Sequence, residues 1–414
     1  MLPSTAPTEN TDDSSSSDRI LILGAGYGGL RVAQLLTKQL DGGDRPEIAL
    51  IDRHPYHQVI TELPIAASGR YTQADVEIPL QKLVEDGQVR LIQAEVTSLD
   101  LADHRVLTAT GPLAYGTLVI ALGSVTAFYG VPGLQEHALT LKSVDDAAAI
   151  RERVDQAIAT AAGQTDPATR QAWLTTIIGG AGLTGVELAG ELADFIPKAA
   201  KEHGVDPAET KIVLVDGGTS ILAGLPQSAQ VKATETLQDL NVEIRTGTRI
   251  TAADADGATI GAAGRISGRT LIWTGGIVAP SLLAQSGLLT AKNGQVLVDP
   301  YLRANGHPEV YAIGDSAYVL EEGQSRPVPP TAQTALEHAE TVAYNIFADR
   351  MGYAERPFRS HDKGLVVSVG TQEGVASLLH IPLTGRGVLV LKDLVEERYR
   401  FEAAGLRGLF HRHA

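Results

Sequence analysis

Residues Arg19 to Leu36 read RILILGAGYGGLRVAQLL. Ile20 to Leu23 is a short, unbroken apolar run, the pattern of a strand buried on both faces. Gly24, Gly26 and Gly29 follow as G-x-G-x-x-G. The first glycine permits a tight turn, the second lets a diphosphate approach the backbone, and the third lets a helix pack closely on the strand. Leu30, Ala33, Leu36 and Leu40 then recur at helical spacing. A helix starting there offers free N–H groups and a partial positive charge to a phosphate. A second strand, Ile48 to Ile51, ends in Asp52, whose carboxylate can accept hydrogen bonds from ribose hydroxyls.

The same logic recurs in IIGGAGLTGVELAGELA, Ile177 to Ala193. Thr176 to Gly179 is the strand end, Gly180, Gly182 and Gly185 are the three glycines, and Val186 to Phe195 begins a helix. The next strand, Lys211 to Val215, ends in Asp216. The gap from Gly185 to Asp216 exceeds the usual spacing, so the crossover is expected to carry an extra turn around Pro197 to Pro207. Gly217 and Gly218 follow Asp216, with no arginine close behind. A 2′-phosphate would meet an uncompensated negative charge there, which favours NADH over NADPH.

The 414 residues suffice for two or three domains. The formal net charge of −15 disfavours nucleic acid as a partner. Cysteine is absent, which removes thiolate nucleophiles, redox disulfides, Fe–S clusters and cysteine-ligated zinc. The 11 histidines show no metal-ligand spacing, so no metal site is expected. Met1 to Asp18 is polar, Ser-rich and acidic, and reads as a disordered tail rather than a signal peptide. No apolar run reaches transmembrane length. The chain is expected in the cytoplasm or, as a peripheral protein, on the cytoplasmic face of a membrane.

Further along, His54 to Gly69 reads as a proline-punctuated loop with a short helix. Val89 to Val96 and Leu113 to Leu122 read as strands, the latter ending in Gly123 and Ser124. Ser143 and Asp146 form a capping box for a helix to about Ala162. Val242 to Arg245 and Thr270 to Trp273 are later strands of the second unit. The chain then returns to the first unit with Val310 to Ile313, Gly314 and Asp315, followed by a helix over Pro329 to Phe347 with proline at its start. The predicted fold is α/β, with two Rossmann-like dinucleotide-binding domains, one inserted in the other, and a small C-terminal region. The expected boundaries are 19–141 with 299–350 for the first domain, 142–298 for the second, and 351–414 for the tail.

The segments GAGYGG, ELPIAASG, ALGS, GAGLTGVELAGELA, IWTGG, YAIGDSA and PPTAQTALEHA carry a resemblance. Between Arg19 and Phe347 the chain resembles the two-dinucleotide-domain flavoprotein oxidoreductases, and within them the type II NADH:quinone oxidoreductases. That resemblance implies FAD on the first unit, NADH on the second, a quinone substrate and no proton pumping. It places Gly24, Gly26, Gly29, Asp52, Arg53, Val96, Ala121, Gly123, Gly314 and Ala332 around FAD, with Asp315 at the ribityl–phosphate region. It places Gly180, Gly182, Gly185, Asp216, Gly275 and Gly276 around NADH. Glu187 matches a glutamate near the nicotinamide and flavin, and is also suited to stabilise its helix start. Gln333 matches a residue at the flavin's quinone side, with Glu337 and His338 one turn on. His338 would either bond the quinone, or donate a proton to it, or pair with Glu337 or Glu340 on a solvated face.

Two departures stand out: Leu122 replaces a common threonine in ALGS, and Glu337–His338 replaces a common glutamine. The missing cysteines exclude the disulfide-reducing, sulfide-oxidising and peroxide-reducing relatives of this fold. Flavin chemistry needs no side-chain nucleophile.

In the tail, LVVSVG (Leu365 to Gly370) reads as a strand before a turn and a helix. Val388, Leu391, Val395 and Tyr399 share a helical face, while Arg398, Arg400, Arg407 and Arg412 make the end basic and Leu406, Leu409 and Phe410 make it apolar. This suits an interfacial helix on an anionic membrane, or a helix packed on the protein or on a second subunit of a homodimer. Three functions stay open on the residues alone: a peripheral NADH:quinone oxidoreductase, a soluble NADH-dependent reductase with another acceptor, and a non-catalytic nucleotide sensor.

Overall fold

The computed structural model describes residues 18–40, 45–84, 87–361 and 363–404. The N-terminal tail before Asp18 and the basic, apolar end with Leu406, Arg407, Leu409, Phe410 and Arg412 lie outside the described residues. The chain forms two compact units. The first comprises the described residues of Met1–His57, Pro79–Ser124 and Val278–Ser360, and the second those of Gln58–Ile78, Val125–Ile277 and His361–Ala414.

The first unit is built on a six-stranded sheet. Its order is Arg303–Ala304, His307–Ala312, Thr117–Ile120, Ile20–Leu23, Ile48–Asp52 and Arg90–Gln93. All neighbours are parallel except the first pair. Ile20–Leu23 lies near the centre, in register with Ile48 on one side and Thr117 on the other. Its four side chains are wholly buried, which accounts for the unbroken apolar run, each stabilising the unit by roughly 1.5–3 kcal/mol. Helix Tyr27–Gln39 packs against helix Ala332–Met351. The latter starts two residues beyond the proline pair, because Thr331 is its cap and accepts the Thr334 N–H at 3.1 Å.

The second unit has a four-stranded parallel sheet, Val242–Arg245, Lys211–Val215, Thr175–Gly179 and Thr270–Trp273. The extra turn expected around Pro197 to Pro207 falls at the far end of that span. Helix Leu183–Glu202 continues through Pro197, and the extra turn is a short 3-10 segment, Pro207–Glu209. Burial of Ile196, Ala199 and Ala200 outweighs the hydrogen bond that the proline removes. The C-terminal part of this unit is a three-stranded antiparallel sheet, Leu365–Val369, Glu373–Leu378 and Ile381–Thr384, followed by helix Arg386–Ala404.

The units exchange chain at points other than 141/142 and 298/299. Leu63, Ala66, Ala67, Val76 and Leu141 bury in the same apolar cluster as Val186, Leu188 and Leu214, and Leu134 joins a second cluster with Val213 and Leu271. The segments carrying them therefore belong to the second unit. Residues 361–404 do as well, because Val367, Val369 and Val375 enter that first cluster.

Candidate nucleotide and electron-transfer sites

Each parallel sheet ends in a glycine turn, and the two turns have the same construction. Gly24 takes φ +96° and Gly180 φ +103°, which only glycine tolerates without strain. A Cβ on Gly29 would fall 1.9 Å from the Gly24 carbonyl oxygen, and one on Gly185 1.8 Å from that of Gly180. These glycines bring each helix down onto its strand. Gly26 and Gly182 differ: both are exposed, and a Cβ there would meet nothing within 4 Å.

Gly26 and Gly182 start helices that have no side-chain cap and no acidic residue in the first turn. Uncapped N–H groups, the positive end of the dipole and open space above the glycine form a fitting cradle for a phosphate. The acids at the second strand ends close the construction. Asp52 accepts the Ala25 N–H on Oδ2 at 2.7 Å and the His54 N–H on Oδ1 at 2.8 Å. Asp216 accepts the Ala181 N–H on Oδ2 at 2.7 Å and the Gly218 N–H on Oδ1 at 2.6 Å. Each carboxylate is thus fixed beside its turn with lone pairs to spare.

In the first unit, the turn at Gly314–Asp315 is tied to the 121–124 loop. Ser124 Oγ donates to Asp315 Oδ2 at 2.7 Å, and Ser316 Oγ donates to the Gly123 carbonyl at 3.1 Å. The Gln295 amide donates to the Asp315 carbonyl at 3.0 Å. Gly24 itself sits against Ala121, whose carbonyl leaves no room for a Cβ. Val96 opens the strand Val96–Asp100, and Arg53 is exposed, its Nε 3.1 Å from His54 Nε2. Ala332 and Gln333 begin the long helix, where Gln333 Nε2 donates to Glu337 Oε1 at 3.2 Å.

His338 lies on neither of the surfaces expected for it. It is 1 % exposed, its Nδ1 accepts the Gly314 N–H at 3.0 Å, and its ring meets Phe358 edge-on. Burial pulls its pKa down to about 3, so the ring is neutral at working pH and has no proton of an imidazolium to give. What it does is hold the turn that carries Asp315.

In the second unit, a Cβ on Gly275 would fall 2.4 Å from the Trp273 ring, and one on Gly276 2.0 Å from the Tyr129 hydroxyl. Arg249 was not visible from the sequence around Asp216. The loop after Val242–Arg245 folds back, with Thr248 N–H donating to the Asp216 carbonyl at 3.1 Å. A Cβ on Gly217 would lie 2.7 Å from Arg249 Cγ and Nε. The Arg249 side chain therefore lies against Gly217, one residue past this acid, from the next loop.

Glu187 is more than a helix-start carboxylate. It is buried, and its Oε1 accepts the Ser368 N–H and hydroxyl, both at 3.1 Å. Lys392 Nζ donates to the same oxygen and, at 3.0 Å, to Ser368 Oγ. Burial works against the Lys392 ammonium, but the Glu187 charge beside it wins and holds its pKa above the ordinary value. Four residues on, Glu396 is partly buried and receives a hydrogen bond from Thr61. Four further, Arg400 is wholly buried and donates to Glu62 and to the Asp75 carbonyl. Glu191 takes Arg70 and Ser68.

Helix Arg386–Ala404 therefore turns Lys392, Glu396 and Arg400 inward. The buried face is Val388, Lys392, Arg400 and Ala403, with Glu396 between. Val395, expected on that face, is 51 % exposed, and Val390, Leu394 and Phe401 are 60, 61 and 48 % exposed. The neighbouring turn and strand add Leu379 and Ile381 at 73 and 60 %.

Residues 18–339 match the family described as pyridine nucleotide-disulphide oxidoreductase. A Staphylococcus aureus (strain MSSA476) protein named type II NADH:quinone oxidoreductase is 31% identical over 94% of this chain and 96% of its own. Among solved structures, the Plasmodium falciparum NDH2 in complex with NADH superposes with a TM-score of 0.84 at 21% identity, covering 95% of this chain and 96% of that one. The sulfide:quinone oxidoreductase of Aquifex aeolicus gives 0.78 at 17% identity, covering 95% and 92%. With two glycine turns, each clamped by its own aspartate, the chain belongs to the pyridine nucleotide-disulphide oxidoreductase family, although it has no cysteine. Within that class it is a member of the type II NADH:quinone oxidoreductases.

Proposed function

We propose that the chain takes electrons from NADH through FAD and delivers them to a quinone. The flavin, when bound, supplies the redox chemistry; the protein binds, orients and sets the charge around it. The observation that carries this reading is the duplicated construction, Asp52 on Ala25 N–H and Asp216 on Ala181 N–H, each beside an uncapped, open glycine helix start. In this reading Gly24, Gly26, Gly29, Asp52 and Asp315 hold FAD, and Gly180, Gly182, Gly185 and Asp216 hold NADH. Glu187 serves the nicotinamide–flavin contact, and Gln333 and Glu337 serve the quinone. His338 positions the Gly314–Asp315 turn. The purified protein should be yellow, release FAD on denaturation, bleach anaerobically with NADH and regain its colour with quinone.

Among the described residues, no helix is long and apolar enough to cross a membrane. The outward Val390, Leu394, Val395 and Phe401, with Leu379 and Ile381, support docking of the C-terminal face on lipid, where a long-chain quinone is met. A helix that buries Lys392 and Arg400 while exposing Val390, Leu394, Val395 and Phe401 has a second apolar surface to satisfy.

A further inference from the structure

The buried charges between helix Arg386–Ala404 and its neighbours do not balance. Lys392 pairs with Glu187, Arg400 with Glu62, and Arg70 with Glu191. Glu396 is left over: among the described residues its one hydrogen-bond partner is the Thr61 hydroxyl, and it has no cation of its own. It stands one helical turn from Lys392 on one side and from Arg400 on the other.

We propose that Glu396 holds a proton and is the store that recharges the Glu187–Lys392 pair during turnover. With Glu396 neutral, three cations face three carboxylates and the cluster carries no net charge, the state that burial favours. Burial pushes the Glu396 carboxyl up to about 7, and the Glu62 and Glu187 charges act in the same direction. They act against the Thr61 hydrogen bond and the Lys392 ammonium. Glu396 is also partly exposed, so it can refill from water. Arg400 Nε and Nη1 are buried without a protein acceptor among the described residues, and such donors are commonly met by ordered water.

The inference rests on the quinone-reducing reading. Hydride from NADH brings two electrons and one proton, a quinol needs two protons, and the second comes from solvent. Glu187 releases one proton toward the quinone being reduced and takes a replacement from Lys392, whose N–H bond breaks; the O–H bond of Glu396 then breaks and a new N–H bond forms on Lys392. Solvent then reprotonates Glu396, one proton for each quinone reduced. The groups facing Glu396 are Thr61 and Glu62 from the 60–62 turn, Glu187 from the second glycine helix, and Lys392 from its own.

The test is an infrared pH titration of the flavin-loaded enzyme without NADH or quinone, followed by flavin reoxidation with a short-chain benzoquinone. The wild type should show a protonated-carboxyl C=O band that shifts in D2O and titrates near pH 7, and Glu396→Gln should lack it. In that variant, reoxidation should slow about three- to tenfold at pH 8 while reduction by NADH keeps its rate. A wild-type enzyme with no carboxyl titrating between about pH 6 and 8, which is decisive even if the variant does not fold, overturns the proposal. So does a variant whose reoxidation matches wild type at every pH. An enzyme that NADH bleaches and no quinone reoxidises refutes the functional reading instead, whereas a quinone-active enzyme without the titrating carboxyl refutes only this relay.

Discussion

Asp216 accepts the Ala181 N–H at 2.7 Å, so the acid that ends one strand is fixed to the glycine turn that ends its neighbour. Its charge favours a ribose hydroxyl over a 2′-phosphate. Asp216→Asn should lower the NADH-to-NADPH ratio of kcat/KM by about tenfold. Arg249 packs across Gly217, where its guanidinium can meet a 2′-phosphate once the Asp216 charge is gone, so adding Arg249→Ala should reverse much of that change. Equal use of both nucleotides by the wild type would refute the role given to Asp216.

Gly26 and Gly29 separate binding from folding. Gly29→Ala forces a Cβ to 1.9 Å from a carbonyl oxygen and should destabilise the first unit by about 2–4 kcal/mol. Gly26→Ala meets nothing within 4 Å, so its melting temperature without flavin should stay close to wild type, while FAD affinity falls about tenfold or more. Calorimetry of the apoprotein and flavin titration measure the two effects. A Gly26→Ala protein that retains full FAD affinity would remove the diphosphate from this turn.

These two units were legible because their signals are local. An apolar run, three glycines and a terminal acid lie within one βαβ stretch, and the register Ile20↔Ile48 and Thr175↔Lys211 follows from them. The partners of Glu187 were not. Lys392 is 205 residues away and carries no local signal, and Arg400 reads in sequence as one of four arginines of a basic end. The C-terminal helix defeats the usual rule because its apolar side faces outward, so Val395 was placed on the wrong side. His338 was read by its neighbours in sequence, whereas its partner is Gly314, reached only once the helix packs on the turn.

His338 gives stability a pH dependence. It is neutral in the folded chain, its pKa lowered by burial from 6.5 to about 3. Its contribution is complete above about pH 6.5 and is lost as pH falls toward 3, where the unfolded chain alone is protonated. The loss should be on the order of 2–4 kcal/mol. Denaturant melts between pH 4 and 7 should show this slope in the wild type and a flatter one in His338→Gln. Equal slopes would mean that the histidine is not held neutral.

Docking on lipid is best probed at residues that carry no internal bond. Removing the chain from Arg398 onward would also remove Arg400 from Glu62, so point changes are sharper. Leu394→Asp with Phe401→Asp should leave the melting temperature unchanged and cut binding to anionic vesicles about tenfold or more. Activity with long-chain quinones should fall more than with water-soluble ones. Equal losses with both acceptors, or a wild-type protein that never binds such vesicles, would favour a soluble reductase.

Electrons pass from NADH to quinone through a flavin that this chain holds. Sequential anaerobic mixing tests this directly. The purified enzyme is mixed first with one equivalent of NADH and then with quinone, and the flavin absorbance is followed through both steps. Full bleaching, full recovery and one quinol formed per NADH consumed are expected. A flavin that NADH leaves oxidised, or one that it bleaches and quinone does not restore, would contradict this electron path.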